Sequence, residues 1–203
     1  MELISKKINQ KSYIQEVNGT KYGIIGITPV DLFSRLKYSK IFDELNVDDI
    51  EKTIEDVQTE ANNLKAQGVN KIILLSHVGF GYDQRIARET DGIDIILGGH
   101  SHNLITDVKQ NGNLFMSKSG EPVVITQAGR DGRFFGVLNV EWTPDGIIKK
   151  IQNNVTSTRG FKRNPVARDF FENYILDKPK AVGFIKYAPP PPANADRKST
   201  RLN

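Results

Sequence analysis

Gly92-Ile93-Asp94-Ile95-Ile96-Leu97-Gly98-Gly99-His100-Ser101-His102 runs a strand-like apolar segment into a glycine pair and then into two of the chain's three histidines. The third, His77, ends a second segment of the same kind, Lys71-Ile72-Ile73-Leu74-Leu75-Ser76. Between the two lies a short polar stretch near Asp83–Glu89 that reads as a helix. Ahead of both, Val47, Ile50, Ile54, Val57, Ala61 and Leu64 recur at steps of three and four, the apolar stripe of an amphipathic helix. Asp48, three residues before Glu51, resembles a capping box, and Gly68 supplies a stop. Helix, strand, helix, strand in this order predicts an α/β fold with parallel strands joined by crossovers. Open parallel sheets gather ligands at the carboxyl ends of their strands, and His77, His100 and His102 all fall there.

A single histidine on an apolar strand is more often an ordinary packed residue than a ligand. Here the distribution differs, because every imidazole in the chain ends one of two strands. Residues i and i+2 of an extended backbone project to the same side, so an extended Gly99–His102 would turn both rings toward one site. Gly98 and Gly99 let the backbone turn sharply or approach a ligand closely. This is the arrangement expected of metal ligands.

The chain has 203 residues, 38% of them apolar, enough to bury a substantial core. Its net charge of +4 is supplied in good part by Arg197, Lys198 and Arg201 near the end. No basic run is interleaved with aromatic residues, so a nucleic-acid polymer is not an expected partner. There is no cysteine, which leaves nitrogen and oxygen as the only metal donors. No apolar run reaches membrane-spanning length, and Met1–Lys7 lacks the layout of a signal peptide.

Elsewhere, Tyr13–Val17 and Tyr22–Ile27 flank Asn18-Gly19 and predict a hairpin. Residues 29–46 have no legible form. From Pro122 onward the pattern predicts antiparallel β structure: a strand at Val123–Thr126, a longer one at Phe134–Trp142, and a turn at Thr143-Pro144-Asp145-Gly146 into Ile147–Ile151. Pro165–Ile175 predicts a helix that begins with proline in its first turn. Its Phe170, Phe171 and Tyr174 read as packing residues. Pro189–Pro192 is a polyproline segment, and Asp196–Asn203 reads as a non-native tail.

Taken together, Ile73-Leu74-Leu75-Ser76-His77-Val78-Gly79, Asp83, Ala87 and Gly92–His102 closely resemble the 5'-nucleotidase and 2',3'-cyclic-nucleotide phosphodiesterase branch of the calcineurin-like metallophosphoesterases. Gly19–Gly26 and Gln127-Ala128-Gly129-Arg130-Asp131-Gly132-Arg133 add to the match, which runs from about residue 12 to about residue 187. The resemblance implies part of a four-layer α/β/β/α sandwich built around two divalent metals, Mn, Zn or similar. It implies that His77 and His100 ligate one metal and His102 the other, with Gly98, Gly99 and Ser101 as loop support. The family's Asp-x-His, Gly-Asp and Gly-Asn-His motifs do not occur in this sequence. The expectation is therefore a C-terminal portion of the metallophosphoesterase domain over 1–160, with the N-terminal half missing. A linker helix at 161–181, the start of a truncated C-terminal nucleotidase domain at 182–188 and an unstructured tail at 189–203 follow.

The implied chemistry is metal-assisted hydrolysis of a nucleotide or other phosphate ester. Two cations about 3.5–4 Å apart offset charge on the phosphoryl oxygens and activate water. Three imidazoles with no anionic bridge leave two dications repelling each other, so this chain alone is expected to bind at most one metal, weakly, and to turn over little or no substrate. Arg130 and Arg133 are candidate substrate contacts. Asp94, inside an apolar strand, is equally readable as structural at a sheet edge or as catalytic. By resemblance the parent is extracellular, periplasmic or in the cell envelope. The alternative is a noncatalytic metal-binding or interaction module derived from that fold.

Overall fold

The computed structural model describes residues 11–32, 47–109, 112–162 and 164–170. The chain parts into two compact units after Arg159.

The first unit opens with the hairpin of β1 (Ser12–Val17) and β2 (Thr20–Ile27), paired antiparallel from Val17 opposite Thr20. Asn18 and Gly19 both take positive φ, 50° and 76°, as a two-residue turn matched to strand twist requires. Helix α1 (Ile50–Ala66) buries Ile50, Ile54, Val57, Ala61 and Leu64, five of the six residues of the predicted stripe. Its cap is Asp49, not Asp48. Asp49 has extended backbone angles, and its carboxylate accepts from the Lys52 amide at 2.8 Å, the geometry that satisfies an orphan N–H of the first turn. At the other end Gly68 adopts φ 76°, and the Gly68 and Val69 amides donate back to the Lys65 and Leu64 carbonyls at 2.9 and 3.1 Å. Those two bonds are the Schellman closure, with buried Val69 and Leu64 supplying its apolar contact.

Strand β3 (Ile72–Ser76), helix α2 (Phe80–Glu89) and strand β4 (Ile95–Leu97) follow, then β5 (Leu114–Met116) and β6 (Pro122–Thr126). The six strands form one sheet in the order β1-β2-β3-β4-β6-β5. β2, β3, β4 and β6 are mutually parallel, and β1 and β5 are antiparallel edges. The antiparallel expectation from Pro122 onward holds for β6 on its β5 side and fails on its β4 side, where the pairing is parallel. The physical reason is visible in its sequence: Val123, Val124 and Ile125 are all buried, the unbroken apolar run of a strand covered on both faces. The three-residue edge strand β5 is too short to announce itself by periodicity.

On one face α1 and α2 pack over Ile25, Ile72, Leu74, Ile96, Val123 and Ile125, which with the helix stripe, Ile86, Ala87 and Phe115 make the core. On the other face lies the two-stranded sheet of β7 (Phe134–Trp142) and β8 (Ile148–Ser157), paired antiparallel as the sequence predicts. Leu138, Val140 and Trp142 share a cavity with Tyr22, Ile73, Ile95 and Leu97. Asn153 fastens this layer by donating to the Ile105 carbonyl at 2.8 Å.

In the second unit, α3 (Pro165–Phe170) begins at proline as predicted, with the Asn164 side chain accepting from the Val166 and Ala167 amides at 2.9 and 3.1 Å. The rest of the predicted linker helix, the start of a following domain and the tail lie outside the described residues.

Candidate metal centre

Parallel pairing brings four strand ends to one edge of the sheet. Ile27 of β2 is opposite Ser76 of β3, and Leu97 of β4 lies between Leu75 and Thr126. His77, Gly98 and Gln127 are therefore the first residues past three adjacent strands, and Asp31 stands four residues past the fourth. Backbone bonds fix this edge: the His77 amide donates to Ile27 at 3.2 Å, and the Gly98 amide to Thr126 at 2.8 Å.

The rings of His77 and His100 meet edge to face, centroids 5.4 Å apart at 79°. His100 Nε2 stands 3.5 Å from a carboxylate oxygen of Asp31, with the His100 side chain only 20% exposed. His77 and His102 are exposed, and His102 stands outside the ring pair. The route to this pair differs from the extended loop expected. His100 and His102 both adopt left-handed backbone conformations, φ 68° and 59°. The Ser101 amide donates to the Gly99 carbonyl at 2.8 Å, so His100 is the central residue of a tight γ-turn. The i, i+2 rule for extended chains does not apply to such a backbone. Non-glycine residues in this region cost about 1–3 kcal/mol each and persist where surroundings hold them, which is typical of functional loops.

The surroundings here are polar and close. Gln127, only 3% exposed, donates from Nε2 to the Gly99 carbonyl at 2.9 Å and accepts the Asn103 amide on Oε1. Ser101 Oγ accepts from the Phe80 amide at 3.0 Å, joining this loop to the start of α2. Gly98 is obligatory by approach: a Cβ there would lie 2.6 Å from Asp83 Oδ2 and 3.1 Å from Gln127 Nε2. Asp83, fully buried on α2, accepts a hydrogen bond on Oδ1 from the Ser76 hydroxyl, and its Oδ2 has no hydrogen-bond partner among the described residues. Burial pushes its carboxyl up to about 6, with the Ser76 bond acting in the opposite sense.

Asp31, Asp83 as a buried carboxylate and Gln127 are the residues that sequence reasoning missed as parts of this site. Gln127 had a usable signal, since it follows an apolar run just as His77 does. Arg130 and Arg133 are exposed, lie 3.3 and 3.4 Å from Asp131, and do not line the cleft of about 470 Å³ that opens beside His100 between Asp31, Phe80, Tyr82 and Arg85. Asp94 is buried beneath the sheet interior, not at an edge, and accepts the Ile72 amide on Oδ2 at 2.7 Å, a structural use. Burial raises its carboxyl to about 7.

Two imidazoles with a carboxylate beside one of them form a nitrogen and oxygen donor set suited to Zn, Mn or Fe(II). Among the described residues no three His, Asp or Glu side chains converge at metal-ligand spacing. The site therefore fits part of a coordination sphere around a divalent cation.

No protein-family profile matches the chain. It is 37% identical over 153 residues to a snake venom 5'-nucleotidase of Gloydius brevicauda, covering 70% of this chain and 24% of that protein. It is 29% identical over 182 residues to the trifunctional nucleotide phosphoesterase protein YfkN of Bacillus subtilis, covering 85% and 12%. The crystal structure of a 5'-nucleotidase precursor from Thermus thermophilus superposes with a TM-score of 0.61 at 28% identity, over 72% of this chain and 29% of that one. The chain spans about a quarter to a third of the length of the venom relatives it matches. In sequence and in fold, the chain belongs to the 5'-nucleotidase family of metallophosphoesterases.

Proposed function

We propose that the chain contributes the histidine-bearing strand ends of the metal centre in a nucleotide phosphoesterase, of the 5'-nucleotidase or 2',3'-cyclic phosphodiesterase type. The observation that carries this reading is the His77 and His100 ring pair at the ends of adjacent parallel strands. His77 and His100 would supply imidazole nitrogens to one divalent cation, with the Asp31 carboxylate beside His100 Nε2 orienting that ring or adding an oxygen donor. His102 would be a donor for a second cation. When bound, divalent cations supply positive charge against the phosphoryl oxygens and lower the pKa of water. The chain's own residues contribute position: neutral imidazoles held by short loops on a rigid sheet edge.

A sheet face left partly bare supports a role within a larger protein. Leu75 and Leu97, adjacent in register on the face away from α1, are 46% and 38% exposed. Apolar neighbours of this kind mark a surface built to be covered, and a further sheet would cover it in a four-layer sandwich. The chain by itself is accordingly a weak binder of one cation and a poor catalyst. An extracellular or envelope location fits the relative named as a venom protein.

The test is to express the longest reading frame that contains this chain beside the chain alone and to assay both on a nucleoside monophosphate and a 2',3'-cyclic nucleotide with Mn²⁺. The proposal expects hydrolysis by the longer protein, loss of it on His100→Ala, and little or none by the chain alone. A longer protein that is folded, binds Mn²⁺ and hydrolyses neither substrate returns the reading to a noncatalytic module.

A further inference from the structure

We infer that Gln127 is a positioning residue whose side-chain amide locks the Gly99–Asn103 loop in the left-handed form that turns His100 onto His77. This rests on the metal-centre reading for its consequence, though not for its geometry. Gly98 is held to β6 by its amide bond to Thr126, and the chain is re-anchored where the Ile105 amide donates to the Gln127 carbonyl at 3.0 Å and the Gly129 amide to the Asn103 carbonyl at 2.9 Å. Between those anchors the only backbone bond within the loop is that from Ser101 to Gly99. Two residues with positive φ, His100 and His102, are thus left in a segment with little backbone support. Their conformation must be imposed from outside.

Gln127 is placed to impose it. Its amide spans the loop, donating to the Gly99 carbonyl at the start and accepting the Asn103 amide at the end, with Ser101 Oγ 3.3 Å from Nε2. A primary amide is the one side-chain terminus of this length that offers a donor at one atom and an acceptor at the other at neutral pH. A carboxylate would set an anionic oxygen against the Gly99 carbonyl. Burial sharpens the demand, since in low dielectric an unpaired or mispaired polar group costs more than the bond contributes. Absence of a side chain at Gly98 lets the amide come this close, because a Cβ there would stand 3.1 Å from Nε2. Groups that orient metal-ligating histidines from behind typically carry 10–100-fold in metal affinity.

The test uses the full chain with Co²⁺ alone as probe, read by visible absorption, together with amide hydrogen exchange. Gln127→Glu keeps the acceptor and removes the donor. Gln127→Leu removes both. The inference expects Co²⁺ affinity to fall about 10–100-fold in both variants with an altered Co²⁺ spectrum, and Asn103 amide protection to fall in Gln127→Leu while β3 and β4 stay protected. Unchanged affinity and spectrum, or protection lost equally across β3 and β4, would overturn it. Should the unaltered chain take up no Co²⁺, the metal-centre reading fails, and exchange decides the clamp alone: faster at Asn103 only, it stands; unchanged, it falls.

Discussion

A Cβ on Gly99 would stand 2.9 Å from Nδ1 of His77, so the two histidine-bearing loops touch at a point where no side chain fits. Gly99 is not among the residues with positive φ, and alanine there meets no backbone strain. His77 is exposed and has room to swing away. Gly99→Ala should therefore change stability by less than about 1 kcal/mol and yet break the ring pair. Co²⁺ titration beside a urea melt checks this, with lost affinity at an unchanged midpoint as the expected result.

Asp94 lets the fold be read through pH. Its carboxyl is raised to about 7 by burial, with the Ile72 amide bond opposing, whereas an unfolded aspartate titrates near 3.8. Between those values the folded chain holds a proton that the unfolded chain has released, so this residue's contribution declines as pH rises from about 4 to about 7. Asp94→Asn keeps an acceptor for Ile72 and carries no charge. The variant should gain on the unaltered chain across that window, by on the order of 2–4 kcal/mol at pH 8, and urea midpoints at pH 4, 6 and 8 measure the difference. Asp83, raised to about 6, acts with the same sign over a narrower range.

The capping residue of α1 separates two neighbouring aspartates. Asp49 accepts the Lys52 amide, so Asp49→Ala should cost about 1 kcal/mol. Asp48 is exposed and outside the cap, and Asp48→Ala should stay within about 0.5 kcal/mol of the unaltered chain. Thermal melts of the two variants give the comparison.

Much of this architecture is legible in the sequence because local signals and burial agree. The Asn18-Gly19 turn, the α1 stripe, the Gly68 stop and the strand-ending His77 each follow from one physical rule and recur in the fold. The parallel pairing of β6 with β4 was missed because pairing direction is decided by tertiary neighbours, and an apolar run is silent on it. The histidine loop shows the deeper limit. His100 reaches His77 through a left-handed turn fastened by Gln127, a residue 27 positions away from it in the chain. Nothing local in Gly99-His100-Ser101-His102 specifies that conformation. Asp31 is hidden for the same reason, since its place beside His100 depends on β2 lying parallel to β3.

The most direct measurement is a Zn²⁺ titration of the ¹⁵N-histidine-labelled chain followed by NMR of the imidazole nitrogens. The account predicts that His77 and His100 resonances move together along one shared single-site isotherm, saturating only with excess metal. Independent responses of the two rings, or no response from either, would contradict it.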